Sequence, residues 1–287
     1  MVVKLTGRLC SIYSICVCLV CISCLSCEND FLGAIASTSL EERLKSANSF
    51  PYFDNASPPK PPDSGADFSF LFLSDIHIAV DLKTKLNELP IQPSDKFVVL
   101  CGDITQSGEY SEIQKCIDIT KSWPIPCYLV IGNHDIYFGN WANWKELIGS
   151  TRYATESNDG NTKLIFLDSA NGTFGAAQLD WLQHELQSAP ANTFVFSHNN
   201  LWATANPFAP DYAGFPNLQE RARFISILSN SNAKAYLSGH LHKEIVQQVK
   251  GCKYICLDNF EKTGDYLRVT VHADGTISYQ FNSLIAL

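Results

Sequence analysis

Cys127-Tyr128-Leu129-Val130-Ile131-Gly132-Asn133-His134-Asp135 is an apolar run that halts at a glycine and then presents an amide, an imidazole and a carboxylate in succession. A short apolar run bounded by turn signals reads as a buried strand. Three polar groups directly after such a strand pack poorly in a core. They sit well in the crevice beyond the carboxyl ends of strands, where open α/β sheets hold their ligands. Asn133 offers a carbonyl oxygen to a hard cation, His134 a titratable nitrogen, and Asp135 an acceptor that could orient that nitrogen. Alone, the triplet would be an ordinary polar turn with a solvated histidine. Four further clusters of the same kind argue otherwise.

Working outward, Phe68-Ser69-Phe70-Leu71-Phe72-Leu73 reads as a strand closed by Ser74-Asp75-Ile76-His77, and Phe97-Val98-Val99-Leu100-Cys101 as one closed by Gly102-Asp103. Residues 193–196 end in Ser197-His198, and residues 235–237 in Ser238-Gly239-His240-Leu241-His242. A further strand, 164–167, ends at Asp168. Helical spacing is expected over 82–89, 111–123, 178–186 and 218–228. The tail changes character: 245–249, 254–257, 267–271 and 277–281 read as strands, with Asp274-Gly275 as a hairpin turn. Alternating α and β segments that give way to an antiparallel finish predict an α/β (α+β) chain of mixed sheets covered by helices.

Five of the seven histidines fall in the strand-end clusters. His184 and His272 lack that context and read as surface residues. If the backbone stays extended, alternation aims Asp75 with His77, and His240 with His242, to one side. Imidazole, carboxylate and amide oxygen together suit borderline divalent ions such as Mn, Fe or Zn; an all-oxygen set would suit Mg or Ca. Gly102, Gly132 and Gly239 are read as permitting tight turns beside the ligands.

Taken in order, Asp75-x-His77, Gly102-Asp103, Gly132-Asn133-His134-Asp135, His198 and Gly239-His240-x-His242 resemble the calcineurin-like metallophosphoesterases, from about Asp67 to the C-terminal strands. The resemblance implies a four-layer αββα sandwich of two mixed β-sheets flanked by helices. It also implies two divalent metal ions, Asp75, His77 and His242 on the first, Asn133, His198 and His240 on the second, and Asp103 bridging them. A shared hydroxide would then attack phosphorus, with His134 as general acid for the leaving oxygen and Asp135 setting its orientation. Two departures stand out. After His198 come Asn199-Asn200, where many relatives place a proline two residues on. Gln106 occupies the position at which purple acid phosphatases carry a metal-binding tyrosine, so an iron–tyrosinate centre is not expected. Leu167-Asp168-Ser169 followed by Gln178, Leu179 and Leu182 is similar to a stretch of the class III cyclic-nucleotide phosphodiesterase branch.

Two aromatic sets follow the site clusters: Tyr137, Phe138, Trp141 and Trp144, then Trp202, Phe208, Tyr212 and Phe215. They either pack their loops onto the domain or rim the site and stack a base or aryl group. No basic cluster commits the pocket to a terminal phosphate, so phosphodiester or nucleotide substrates are slightly favoured over phosphomonoesters. The alternative is a non-catalytic surface binding or scaffold protein that retains the metals on the same fold. A scaffold has no need of His134.

The ends of the chain bear on location. Lys4 and Arg8 precede an apolar run from Leu9 to about Ser26, the pattern of a secretory leader or of a single membrane span. Leu25-Ser26-Cys27 followed by Glu28-Asn29-Asp30 resembles a bacterial lipoprotein signal in which Cys27 is acylated, although Cys24 stands where leucine is usual. The preferred reading is an exported, membrane-anchored lipoprotein; a cleaved secretory signal and an uncleaved anchor are the rivals. Residues 1–27 are thus assigned to the leader, 28–66 to a proline-rich tether in which Leu40 begins at most an inconsequential helical turn, and 67–287 to the phosphoesterase domain. The formal charge of -8 becomes -10 without Lys4 and Arg8, 19 basic against 29 acidic side chains. That balance excludes a protein gripping long nucleic acid through phosphates, but not a small phosphate-ester substrate met by metal ions. Five of the eleven cysteines lie beyond residue 27, and no disulfide framework is expected.

Overall fold

β1 (Phe68–Leu73) is buried along its whole length and runs parallel to β2 (Asp95–Cys101), which runs parallel to β3 (Cys127–Val130). These elements belong to a computed structural model that describes residues 38–79, 84–201 and 217–285. The C-terminal hairpin, β10 (Asp265–Val271) and β11 (Ile277–Ser283), extends this sheet antiparallel to β1, giving the order β11-β10-β1-β2-β3. A second sheet has the order β4-β5-β6-β7-β9-β8. Its parallel centre is β5 (Thr162–Phe166), β6 (Asn192–Phe196), β7 (Ala233–Ser238) and β9 (Cys252–Cys256). The antiparallel edges are β4 (Tyr153–Glu156) and β8 (Ile245–Val249).

The period of two along each strand sorts side chains between layers. Phe194 and Phe196 join the core shared with the first sheet, while Val195 between them joins the one beneath the helices. Aromatic rings dominate the inter-sheet layer: Phe70 stacks on Phe97 at 4.7 Å, Tyr128 on Phe166 at 5.1 Å, and Tyr153 on Phe166 at 4.5 Å. On the far side of the second sheet, α4 (Gly175–Gln187) buries Leu179, Leu182 and Leu186, and α5 (Leu218–Ser229) buries Phe224 and Leu228. α2 (Tyr110–Lys121), started by a Glu109/Glu112 capping box, and α3 (Trp141–Leu147) cover the first sheet. Two mixed sheets flanked by helices are thus observed as expected.

Three differences have physical reasons. β4 was not expected: it is short and half exposed, and its identity rests on Tyr153, whose hydroxyl donates to the Leu129 carbonyl at 3.2 Å. Of the helix expected over 82–89, the described part is a 3-10 turn, Lys85–Glu88, capped by Thr84. The largest difference concerns the tether. α1 (Leu40–Ser46), capped by Ser39, buries Leu40 and Arg43. Behind it Tyr52 and Phe53 enter the main core, and Phe53 meets Tyr128 and Tyr153 edge-on. The Pro59 carbonyl accepts from Tyr128 and Thr155 hydroxyls at 3.0 and 2.8 Å. Parts of residues 38–66 therefore pack on the domain, because two aromatic rings and an arginine find buried partners there, while 54–57 and 63–66 stay exposed. Residues 1–37, including the leader and Cys27, lie outside the described residues.

Cys101, Cys116, Cys127, Cys252 and Cys256 are buried free thiols. Among the described residues no helix is long and apolar enough to cross a membrane.

Candidate metal centre

β1, β2 and β3 end beside β6 and β7, and all the strand-end clusters of the sequence converge there. Asp75 and His77 follow β1, Asp103 follows β2, Asn133, His134 and Asp135 follow β3, His198 follows β6, and His240 and His242 follow β7. The backbone does not stay extended beyond the strands, as alternation had assumed. Asp75, His77, Asp103, His240 and His242 all have left-handed φ, between 46° and 70°. Asp and His adopt that region more readily than most residues, yet each instance costs about 1–3 kcal/mol and persists where surrounding structure enforces it. The sharp reversals turn the side chains of both sheets toward a common point.

Asp75 and Asp103 lie at the centre, both buried. Asp75 Oδ1 is 3.1 Å from His242 Nε2 and 3.9 Å from His198 Nε2, and its Oδ2 accepts the His240 amide at 3.0 Å. Asp103 Oδ1 accepts the His134 amide at 2.9 Å, and its Oδ2 faces His198 Nε2 at 3.0 Å and His134 Nε2 at 4.0 Å. His198 Nδ1 donates to the Cys101 carbonyl at 3.0 Å, which aims Nε2 into the site. Burial by itself would raise both aspartates, but His198 with His242 for Asp75, and His198 with His134 for Asp103, hold them below the ordinary carboxylate range. Burial likewise works against a charged His198, yet Asp103 and Asp75 bring it up to about 10. His77 is pushed down to about 4 by its own burial. The centre thus holds charged carboxylates beside imidazoles, the donor set of a cation site.

Among the described residues, three overlapping groups have ligand atoms within 4.8 Å of one another: Asp75/His77/His242, His77/Asp103/His134 and Asp103/His198/His240. Both ring nitrogens of buried His77 lack a hydrogen-bond partner among the described residues. Such an orphan costs about 1–3 kcal/mol unless its lone pair is taken up. His198 Nε2 and His240 Nδ1 face each other at 3.2 Å beside Asp103. Two imidazole nitrogens beside a shared carboxylate form a donor set that a divalent cation could take up in place of the proton His198 holds there, so the residues present fit bound metal. Asn133 donates from Nδ2 to the Tyr137 hydroxyl at 2.8 Å, which sets the amide's orientation.

His134 is oriented differently from expectation. Its Nδ1 donates to the Gln106 backbone carbonyl at 2.7 Å, leaving Nε2 as the nitrogen nearer Asp103. Asp135 has both oxygens committed elsewhere: Oδ1 accepts the Thr105 amide and hydroxyl at 3.0 and 2.8 Å, and Oδ2 accepts the Gly132 amide at 2.8 Å. Burial and the neighbouring Asp103 bring its carboxyl up to about 7. Asp135 therefore clamps the loops after β2 and β3 together, and the carbonyl of Gln106 orients His134. Thr105 was not singled out in the sequence, and Gln106 only for its side chain, which stands where a metal-binding tyrosine could have been; a backbone carbonyl carries no side-chain signal.

The glycines act through close approach more than through turns. A Cβ on Gly239 would overlap Ser74 Oγ and Asp75 Oδ2, and one on Gly132 would overlap the Asp103 amide. Only Gly102 also has positive φ, 79°. Of the first aromatic set, Trp141 and Trp144 are core residues, whereas Tyr137 lies 4.4 Å from the His134 ring and Phe138 is 53% exposed. The second set lies outside the described residues. Asn199, just before Asn200 where many relatives place a proline, is tied down: its amide donates to Ser169 Oγ at 2.9 Å, and its carbonyl accepts from Tyr236 at 2.7 Å. His184 is exposed on α4 and His272 pairs with Asp67 at 2.9 Å, both away from the centre.

Comparison with known proteins gives the same picture. The calcineurin-like phosphoesterase family model matches residues 68–244. A probable cyclic nucleotide phosphodiesterase of Fibrobacter succinogenes is 24% identical over 181 residues, 62% of this chain and 69% of that protein. The 3',5'-cyclic adenosine monophosphate phosphodiesterase CpdA of Haemophilus influenzae is 22% identical over 218 residues, 67% of this chain and 76% of that protein. A dimetal phosphatase from Danio rerio shares the fold, with a TM-score of 0.57 at 15% identity over 73% of this chain and 94% of that one. Every converging side chain from Asp75 to His242 lies inside the matched stretch, and the chain belongs to the calcineurin-like phosphoesterase family of metal-dependent phosphoester hydrolases.

Proposed function

We propose that this chain hydrolyses phosphodiesters, nucleotides among them, in preference to phosphomonoesters, using two divalent cations drawn from Mn, Fe or Zn. The observation that carries the reading is the sharing of Asp103 between two groups of candidate ligands, with His134 Nε2 4.0 Å from its carboxylate. Asp75, His77 and His242 would hold one cation, Asn133, His198 and His240 the other, with Asp103 between them. Bound there, the cations would supply Lewis acidity toward phosphoryl oxygens and a nucleophilic water at neutral pH.

The remaining chemistry belongs to the protein. With Nδ1–H committed to the Gln106 carbonyl, His134 carries its exchangeable proton on Nε2 and delivers it to the leaving oxygen. Asp135 keeps the His134 loop in register with the Asp103 loop through Thr105 and Gly132. The preference for diesters draws support from the relatives named as cyclic-nucleotide phosphodiesterases. The defining experiment compares turnover of bis(p-nitrophenyl) phosphate and of p-nitrophenyl phosphate with added Mn. Faster diester turnover is expected; faster monoester turnover would reverse the preference, and no turnover of either ester would favour a metal-retaining scaffold.

We also propose export and a lipid anchor on Cys27, on the strength of Lys4, Arg8, the apolar run and Leu25-Ser26-Cys27. Mass spectrometry of membrane-extracted protein should find an acylated Cys27 as the first residue. A mature chain that begins elsewhere without lipid would reject the anchor.

A further inference from the structure

We infer that Arg43 is a positioning residue for the metal centre, acting on His198 from outside the stretch that defines the family. The matched region begins at residue 68, whereas Arg43 belongs to α1. Its guanidinium meets Asp168 through two bonds, Nε to Oδ2 at 2.8 Å and Nη2 to Oδ1 at 2.7 Å, with both side chains fully buried. Nη1 donates to the Thr38 carbonyl. A buried ion pair needs such fork geometry and further hydrogen bonds to offset its desolvation.

Asp168 itself is clasped. Gln178 accepts the Asp168 amide at 3.0 Å and donates to its carbonyl at 2.7 Å, while Oδ1 also accepts the Ala170 amide at 3.1 Å. The next residue, Ser169, accepts the Asn199 amide at 2.9 Å and lies 3.4 Å from Asn199 Oδ1. Asn199 follows His198, whose Nε2 reaches Asp103 at 3.0 Å. Buried polar contacts joined through two peptide links, Asp168–Ser169 and His198–Asn199, therefore lead from α1 to a candidate ligand. Arg43 holds Asp168, Asp168 sets the turn that carries Ser169, and Ser169 holds the backbone of the residue next to His198. Leu40, one turn before Arg43, packs on Gly175 at the start of α4 and closes the same loop from outside.

The inference rests on His198 being a metal ligand. It is tested on the full chain with the pair Arg43→Met plus Asp168→Asn, which removes both charges and leaves no lone buried ion. Metal content after dialysis against Mn, the Mn titration midpoint, and kcat and KM for bis(p-nitrophenyl) phosphate are measured. The midpoint should weaken and kcat should fall by about tenfold to a hundredfold, the loss typical of groups that support a metal ligand, with KM within about twofold. Ser169→Ala keeps the ion pair and cuts the run one step later, so it should shift the Mn midpoint and kcat in the same direction. Wild-type Mn binding and kcat in a folded pair variant would overturn the inference, as would a lowered melting temperature alone. If the pair variant does not fold, Ser169→Ala decides: unchanged Mn binding and kcat there overturn it. A wild-type chain that binds none of Mn, Fe or Zn would instead sink the metal-centre reading.

Discussion

The two sheets contribute unlike halves to the centre. The first supplies both central carboxylates, Asp75 and Asp103, together with Asn133, His77 and His134; the second supplies only imidazoles, His198, His240 and His242. The hydrogen bonds that position the second half's imidazoles fall on acceptors of the first. His198 is held by the Cys101 carbonyl at the end of β2, His242 by Asp75 Oδ1, and the His240 backbone by Asp75 Oδ2. His134, in contrast, is held within its own half by Gln106. Removing a carboxylate of the first half thus removes negative charge and an anchor for the other half. Removing an imidazole of the second half removes one ring nitrogen and leaves both carboxylates in place.

Asp103→Asn tests this asymmetry at its strongest. A neutral amide between two cations should empty the centre and lower kcat/KM on the order of 10⁴-fold, roughly 5 kcal/mol at 1.36 kcal/mol per decade. His240→Gln, which replaces one neutral donor with another, should cost about tenfold less in both metal content and rate. Equal losses by metal analysis and kinetics would mean that the halves are equivalent. The next effect in size separates binding from proton transfer inside the first half. His134→Ala should retain both metals yet slow turnover by about 10²–10³, most for esters with poor leaving groups. An equal loss for good and poor leaving groups would count against the proton-donor role.

The candidate ligands of both halves stood out because each follows an apolar strand within a few residues, where a polar side chain has no packing reason to be. The means of holding them was less legible. Extended alternation was the wrong reason for pairing Asp75 with His77, since the chain reverses through left-handed φ at both. The Cys101 and Gln106 carbonyls, which set two histidines, are invisible to any reading of side-chain identity. Arg43 looks like any solvated arginine in Leu40-Glu41-Glu42-Arg43-Leu44-Lys45-Ser46, because its partner lies 125 residues away. Tyr52 and Phe53 were masked by their proline-rich surroundings. The fold was more legible than the site's supports, since strand periodicity is local and these supports are long-range.

Metal removal probes how far the two halves depend on what they enclose. His77 has no hydrogen-bond partner for either ring nitrogen among the described residues, and His198 and His240 bring two more ring nitrogens within 3.2 Å of each other beside Asp103, a donor set a bound ion would engage. Adding Mn to chelator-stripped protein at about 100 times its dissociation constant should therefore stabilise the fold by about 2.7 kcal/mol per site. Thermal unfolding with and without Mn measures this, and an unchanged melting temperature would mean that the converged side chains do not take up that cation.

The smallest effect is the most specific. In Asp135→Asn one carboxylate oxygen becomes an NH2 group, which cannot accept from Gly132 or Thr105 at the position it replaces. The lost bond and the donor facing it should lower stability by about 1–3 kcal/mol. Because the Gln106 carbonyl, and not Asp135, holds the His134 ring, the variant's rates should keep the wild-type dependence on leaving group even if all of them fall. A steeper dependence, resembling that of His134→Ala, would return to Asp135 the orienting role that the sequence suggested. It would also mean that the first half positions its acid through a carboxylate, as the second half's His242 is positioned by Asp75.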